Sequence, residues 1–163
     1  MLKLIPPLIS PELLLTLAEM GHGDDLVIAD RNFPAESVAA STVTGRCIRL
    51  SNVDTTEAAR EILKLYPLDS FVEAPLRRMG VVDDFSAVLE VHTAMQEVID
   101  EAEGRPIRME TVERFAFYEA AAKAYAVVRT TEARPYGCFI LKKGVIFDLS
   151  LIHISEPTRP ERI

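Results

Sequence analysis

Asp24-Asp25-Leu26-Val27-Ile28-Ala29-Asp30 is the stretch from which the fold is read. Four apolar residues in an unbroken run, closed by carboxylates at both ends, form the pattern of a short strand buried on both faces. A strand with one wet face would alternate apolar and polar side chains. Both faces of this one need covers, and the segments around it supply them.

Upstream, Ser10-Pro11 opens a helix: serine caps free amides and proline suits the first helical position. Leu13, Leu14, Leu17 and Ala18 follow at helical spacing, and Gly21 is a natural stop. Downstream, Asn32-Phe33-Pro34 reads as a loop and residues 47–50 as a strand. Thr55 to Leu65 reads as a helix, and Ser70-Phe71-Val72 as a strand ended by Pro75. A helix is expected over Ser86 to Glu103, a strand over 107–109, a helix over Val112 to Ala124 and a strand over 125–128. Residues 138–141 and 145–147 read as strands joined by a hairpin-like turn at Lys142-Lys143-Gly144. Strands alternating with helices predict an α/β domain with helices packed on a mostly parallel sheet, which the closing hairpin makes mixed. In such sheets ligands sit at the carboxyl ends of strands, and Asp30 lies just past one.

The chain has 163 residues, enough for one core, and the pattern spans residues 1–148 as a single domain. The stretch 149–163 breaks it. Glu156-Pro157-Thr158-Arg159-Pro160 is polar and proline-bearing, and the tail is expected to be disordered or a sequence artefact, so His153 carries no weight. The formal net charge of −7 disfavours nucleic acid and an anionic membrane face. Two cysteines make no disulfide framework. The opening residues, soon broken by Pro6-Pro7, do not read as a signal peptide, and no apolar run approaches the ~20 residues that span a bilayer. A cytoplasmic protein is expected.

Four clusters could carry chemistry. His22, between Gly21 and Gly23, carries an imidazole that can both give and take a proton and sits on permissive backbone, although by spacing alone a helix-capping histidine is the plainer account. Asp30 can accept several hydroxyl hydrogen bonds, or simply cap a turn. Arg114 and Tyr118, in Glu113-Arg114-Phe115-Ala116-Phe117-Tyr118-Glu119, offer a planar donor fork and a hydroxyl, or one solvated helix face. Tyr136-Gly137-Cys138 offers an aromatic face for a sugar, or a turn. His92 reads as a surface helix position. No spacing supports a metal site, a phosphate loop or a nucleophile elbow.

Taken in order, these clusters resemble the L-fucose mutarotase family, which is related to the ribose pyranases. The matching motifs are Leu8-Ile9-Ser10-Pro11-Glu12-Leu13-Leu14, Met20-Gly21-His22-Gly23-Asp24, Ala29-Asp30, Asn32-Phe33-Pro34 and Pro67-Leu68-Asp69-Ser70-Phe71-Val72. They continue with Arg114-Phe115-Ala116-Phe117-Tyr118-Glu119, Lys123-Ala124, Tyr136-Gly137 and Leu141-Lys142-Lys143-Gly144-Val145. The resemblance implies a three-layer α/β/α fold. It implies interconversion of the anomers of a free monosaccharide, L-fucose first, with His22 as proton donor. Substrate contacts are implied for Asp30, Arg114, Tyr136, Gly137 and Cys138. It also implies a homo-oligomer, as large as the decameric rings known in the family, with sites near subunit interfaces. The chemistry calls for no cofactor and no metal. Two departures stand out: Cys138 replaces a usual asparagine, and Thr131 stands where glycine is common. The rival readings are a sugar-binding or regulatory module that does not catalyse, and a pyranase with ribose-like scope.

Overall fold

The computed structural model describes residues 1–147; the expected tail, with His153, lies outside the described residues. The chain runs α1 (Pro11–Glu19), β1 (Asp25–Ala29), α2 (Ala35–Ala39), β2 (Cys47–Arg49), α3 (Thr55–Ile62) and β3 (Leu76–Met79). It continues through α4 (Glu90–Glu103), β4 (Met109–Val112), α5 (Arg114–Ala122), β5 (Ala126–Arg129) and β6 (Phe139–Lys142). The six strands form one sheet in the order β2-β5-β1-β6-β3-β4. All neighbours pair parallel except β6, which lies antiparallel between β1 and β3.

The unbroken apolar run of β1 has the predicted consequence, since Leu26, Val27, Ile28 and Ala29 are all fully buried. Alternate residues feed two cores. Leu26 and Ile28 join Ile48, Val128, Phe139 and Leu141 under α1, α3 and α4. Val27 and Ala29 join Val127 and Ile140 under α2 and α5. The result is the expected three-layer α/β/α arrangement with a mixed, largely parallel sheet. Each fully buried branched side chain contributes roughly 1.5–3 kcal/mol, so the two cores together dominate the stability. Caps set the helix starts: the Ser10 hydroxyl accepts the Leu13 amide at 3.2 Å, and Asp54 accepts that of Glu57 at 2.7 Å.

Three local expectations fail for physical reasons. Residues 145–147 form no strand. Instead the Gly144 amide donates to the Pro67 carbonyl at 2.8 Å, and a Cβ at Gly144 would lie 2.5 Å from the Leu68 oxygen, so the chain beyond β6 packs on the 67–69 loop. β6 thus finds its partners in the middle of the sheet, not in a hairpin. Ser70-Phe71-Val72 is a bend; the strand starts after Pro75. Arg77 and Arg78 disguised it, yet Arg77 is paired with Asp25 at 2.8 Å and Arg78 is buried with a bond to the Ala87 carbonyl at 3.0 Å. Finally, His92 is not on the surface: it is 1% exposed on the inner side of α4.

Candidate functional site

The antiparallel run of β6 decides what meets what. Ile28 of β1 pairs with Phe139 of β6, so the start of β6 stands beside the carboxyl end of β1. Tyr136-Gly137-Cys138, just before β6, is thereby carried to Asp30, just after β1. Met79 closes β3 at the same edge, and Arg114 begins α5 one residue beyond Glu113, where the chain leaves β4. Asp30, Asn32, Phe33, Met79, Arg114 and Tyr118 line a cleft of about 200 Å³ there, with Pro135, Tyr136 and Cys138 on its other wall. That is below the ~300–1,000 Å³ typical of drug-sized ligands and suits one sugar ring.

Asp30 is built in by backbone. Its Oδ1 accepts the amides of Asn32 at 3.0 Å and Phe33 at 2.9 Å, and its Oδ2 accepts the Gly137 amide at 3.2 Å. A carboxylate has about four lone-pair directions. Three amides hold this one in place and leave capacity for a hydroxyl. Gly137 is required by space as well as by its N–H, because a Cβ there would meet the Glu132 side chain at 2.9 Å. Beside it, burial pushes the Cys138 thiol well above its ordinary pKa and the Asp30 charge pushes the same way, so the sulfur is a neutral thiol.

Arg114 occupies the first position of α5. A cation at a helix N-terminus opposes the macrodipole, so helix stability does not explain it. Its Nε is buried without a hydrogen-bond partner among the described residues, and its guanidinium lies 4.6 Å over the Phe115 ring. A buried donor left without an acceptor is uncommon in native proteins, and Arg114 lines the cleft from which a ligand could supply one. Glu113 caps the helix start by accepting the Phe115 and Ala116 amides, which hold its carboxyl below the usual range. Phe33 packs edge-on against Tyr118 at 5.5 Å, giving the floor an aromatic wall. Tyr136 is a non-glycine residue with φ of 60°, and its hydroxyl accepts the Val82 amide at 3.2 Å.

His22 is elsewhere. It precedes β1, and the five residues of that strand, at about 3.3 Å each, separate it from Asp30 by roughly 16 Å. Its Nε2 meets Asp69 Oδ1 at 3.0 Å, its ring packs edge-on against Phe71 at 5.1 Å, and its side chain is 43% exposed. Burial alone would raise the Asp69 carboxyl, but the Phe71 amide, His22 and Lys142 outweigh it and hold it below the ordinary range. The chain therefore gathers Asp30, Arg114, Tyr136, Gly137 and Cys138 at one edge and leaves His22, poised on a carboxylate, at the opposite edge. Thr131, the second departure, also stands outside the cleft, bonded to Val53 on both its hydroxyl donor and acceptor sides. The sequence reading singles out neither Met79 nor Asp69, and it puts the buried His92 on the surface. Met79 was hidden with its strand, and Asp69 sat inside a matching motif whose chemistry only the contact with His22 reveals.

The sequence from residue 3 to 146 matches the RbsD / FucU transport protein family. A curated relative in Danio rerio, "Fucose mutarotase", is 47% identical over 147 residues, covering 89% of this chain and 94% of its own length. The "L-fucose mutarotase" of Actinobacillus pleuropneumoniae serotype 5b (strain L20) is 44% identical over 145 residues, covering 89% and 97%. Among solved structures, the fucose mutarotase of Streptococcus pneumoniae in complex with L-fucose superposes with a TM-score of 0.81 at 40% identity, covering 90% of this chain and all of that one.

Proposed function

This chain belongs to the RbsD / FucU family, and from that premise we propose that it is an L-fucose mutarotase, an isomerase that interconverts the α and β anomers of the free sugar. The observation that carries this reading is the cleft around the unpartnered Arg114 Nε, faced by the amide-held Asp30 and walled by Tyr118 and Tyr136. A neutral polyol needs such a mixture: one charged donor, one charged acceptor with spare capacity, and an aromatic face for its apolar side.

Mutarotation moves protons and no electrons overall. The ring oxygen gains a proton as the anomeric hydroxyl loses one, the C1–O5 bond breaks and the free carbonyl forms. Rotation about C1–C2 exposes the other face, and the reverse transfers close the ring. Positioned acid–base groups supply ~10²–10⁴-fold each. We assign proton donation to His22, with Asp69 orienting its ring through Nε2. Asp30 orients the hydroxyls, Arg114 fixes the ring, and Tyr136 with Gly137 and Cys138 closes the wall.

His22 and the cleft stand at opposite ends of the strands, so one chain alone does not bring the donor to the sugar. The reading therefore includes a homo-oligomer in which His22 of one copy completes the cleft of another. The face around the cleft is suited to burial: Phe115 is 62% exposed and Phe85 55% exposed. No helix among the described residues is long and apolar enough to cross a membrane; the reading takes the cytoplasm as the enzyme's place of action.

Saturation-transfer NMR between the anomer signals of L-fucose tests the reading, with D-ribose and other free sugars as a panel. Catalysed exchange with L-fucose supports it. Binding without exchange would transfer the assignment to a non-catalytic sugar module, and exchange confined to D-ribose would make the chain a pyranase.

A further inference from the structure

His92 is a histidine the proposed reaction does not use, and its surroundings define its proton. Its Nδ1 accepts the Leu89 amide at 3.0 Å, so Nδ1 carries no hydrogen. Its Nε2 lies 3.2 Å from the carbonyl oxygen of Tyr136, an acceptor only, so Nε2 must donate. Both ring nitrogens are thus committed, in the neutral form, and the ring packs edge-on against Phe139 at 6.1 Å. The facing charge is Arg78, which, with burial, keeps the ring neutral.

The residue it holds is a strained one. Tyr136 has a φ of 60°, a conformation rare for a side chain of this size. The peptide that begins with the Tyr136 carbonyl ends with the Gly137 amide, and that amide donates to Asp30 Oδ2. A peptide unit is planar, so fixing its oxygen fixes the direction of its N–H. We infer that His92 is a positioning residue for sugar binding: through the Tyr136 carbonyl it aims the Gly137 amide at Asp30 and holds the Tyr136 ring on the cleft wall. It touches no substrate atom and acts wholly through that peptide. This rests on the mutarotase reading of the cleft.

The two bonds can be separated by choice of amide. In His92→Asn the side-chain oxygen can stand where Nδ1 was and accept from Leu89, while the reach to Tyr136 is lost. In His92→Gln the side-chain nitrogen can stand where Nε2 was and donate to Tyr136, while the bond at the start of α4 is lost. Met95→Ala, fully buried on the same helix and outside the cleft, is the control for lost stability alone. Anomer exchange of L-fucose would be measured for KM and kcat, with sugar affinity by NMR titration and thermal melts for every variant. The expected result is a rise of about tenfold in KM and Kd for His92→Asn, a rise under threefold for His92→Gln, and none for Met95→Ala despite its lower Tm. Equal effects of the two amides, their reverse order, or an unchanged KM in His92→Asn overturns the inference. A wild-type protein that neither exchanges nor binds L-fucose overturns the mutarotase reading itself, and this inference with it.

Discussion

At the residue scale, the sharpest contrast is between Arg114 and His22. Arg114 stands at the first turn of α5 with its Nε buried and unpartnered. Replacing it with leucine removes a cation that the helix dipole disfavours, so the fold should lose little, within about 1 kcal/mol. Sugar binding should lose a charge-assisted hydrogen bond, a rise in KM of roughly ten- to a hundredfold. Parallel melts and exchange kinetics check both halves; a large drop in Tm with unchanged KM would make Arg114 a structural residue. His22→Ala should leave the melt nearly intact, because its side chain is 43% exposed, while lowering exchange on the order of 10²-fold or more. Glycine-flanked His22, Asp30 after a buried run, and the Arg114 and Tyr136 motifs were all legible in the sequence as polar groups at privileged places. Their grouping was not. Whether Tyr136 meets Asp30 depends on which way β6 runs, and no local pattern in residues 138–141 encodes strand direction.

At the scale of elements, reading succeeded where burial imposes a pattern and failed where a polar side chain is buried with a partner. β1 and α1 announce themselves by apolar spacing. β3 hides behind Arg77 and Arg78, and α4 conceals His92 because a buried imidazole with two committed nitrogens looks, in sequence, like a surface one. The same buried groups govern the response to acid. Burial, aided by Arg78, pushes His92 down to about 4 from an ordinary 6.5. Its folded pKa lies below its unfolded one, so its contribution is present above about pH 6.5 and is lost as pH falls to about 4. For Glu132, 3% exposed, burial pushes the carboxyl up, but Arg134 and the Thr55 hydroxyl outweigh it and bring it from 4.5 to about 2. That contribution is present above about pH 4.5 and is lost as pH falls towards 2. Each gap corresponds to about 3 kcal/mol. Thermal melts should therefore show two acid limbs, one between pH 6.5 and 4 and one below 4.5. His92→Gln should flatten the first alone, and Glu132→Gln the second alone. A single limb unaffected by His92→Gln would mean the imidazole is protonated in the native protein.

At the scale of the whole molecule, the proposed sugar cleft and the proposed proton donor lie at opposite ends of the strands. The carboxyl ends of β1, β3 and β4 and the start of β6 make the cleft. The opposite edge carries His22 on Asp69, with Lys142 donating to the Gly23 carbonyl at 3.1 Å and the Gly23 amide bonded to the Lys143 carbonyl at 2.9 Å to hold that segment down. A rigid sheet keeps the two ends of its strands apart, so the proposed donor at His22 is expected to serve a sugar beside the Asp30 of a second copy. This makes a prediction that no single variant can test. At sugar concentrations well below KM, His22→Ala and Arg114→Leu should each keep at most about a tenth of the wild-type exchange as pure proteins. Co-expressed in equal amounts, they form interfaces in which an intact His22 from the Arg114→Leu chain faces an intact cleft from the His22→Ala chain. With random assembly and one donor per cleft, about a quarter of the sites are whole, so exchange should recover to about a quarter of the wild-type rate. Differently tagged chains, purified through both tags, establish that mixed assemblies are present, and light scattering gives their size. Mixed assemblies with no activity above the two parents would place donor and cleft on the same chain, and would require the His22 segment to leave Asp69 and cross the sheet edge during turnover. Activity in a stable 18.1 kDa monomer would carry the same consequence.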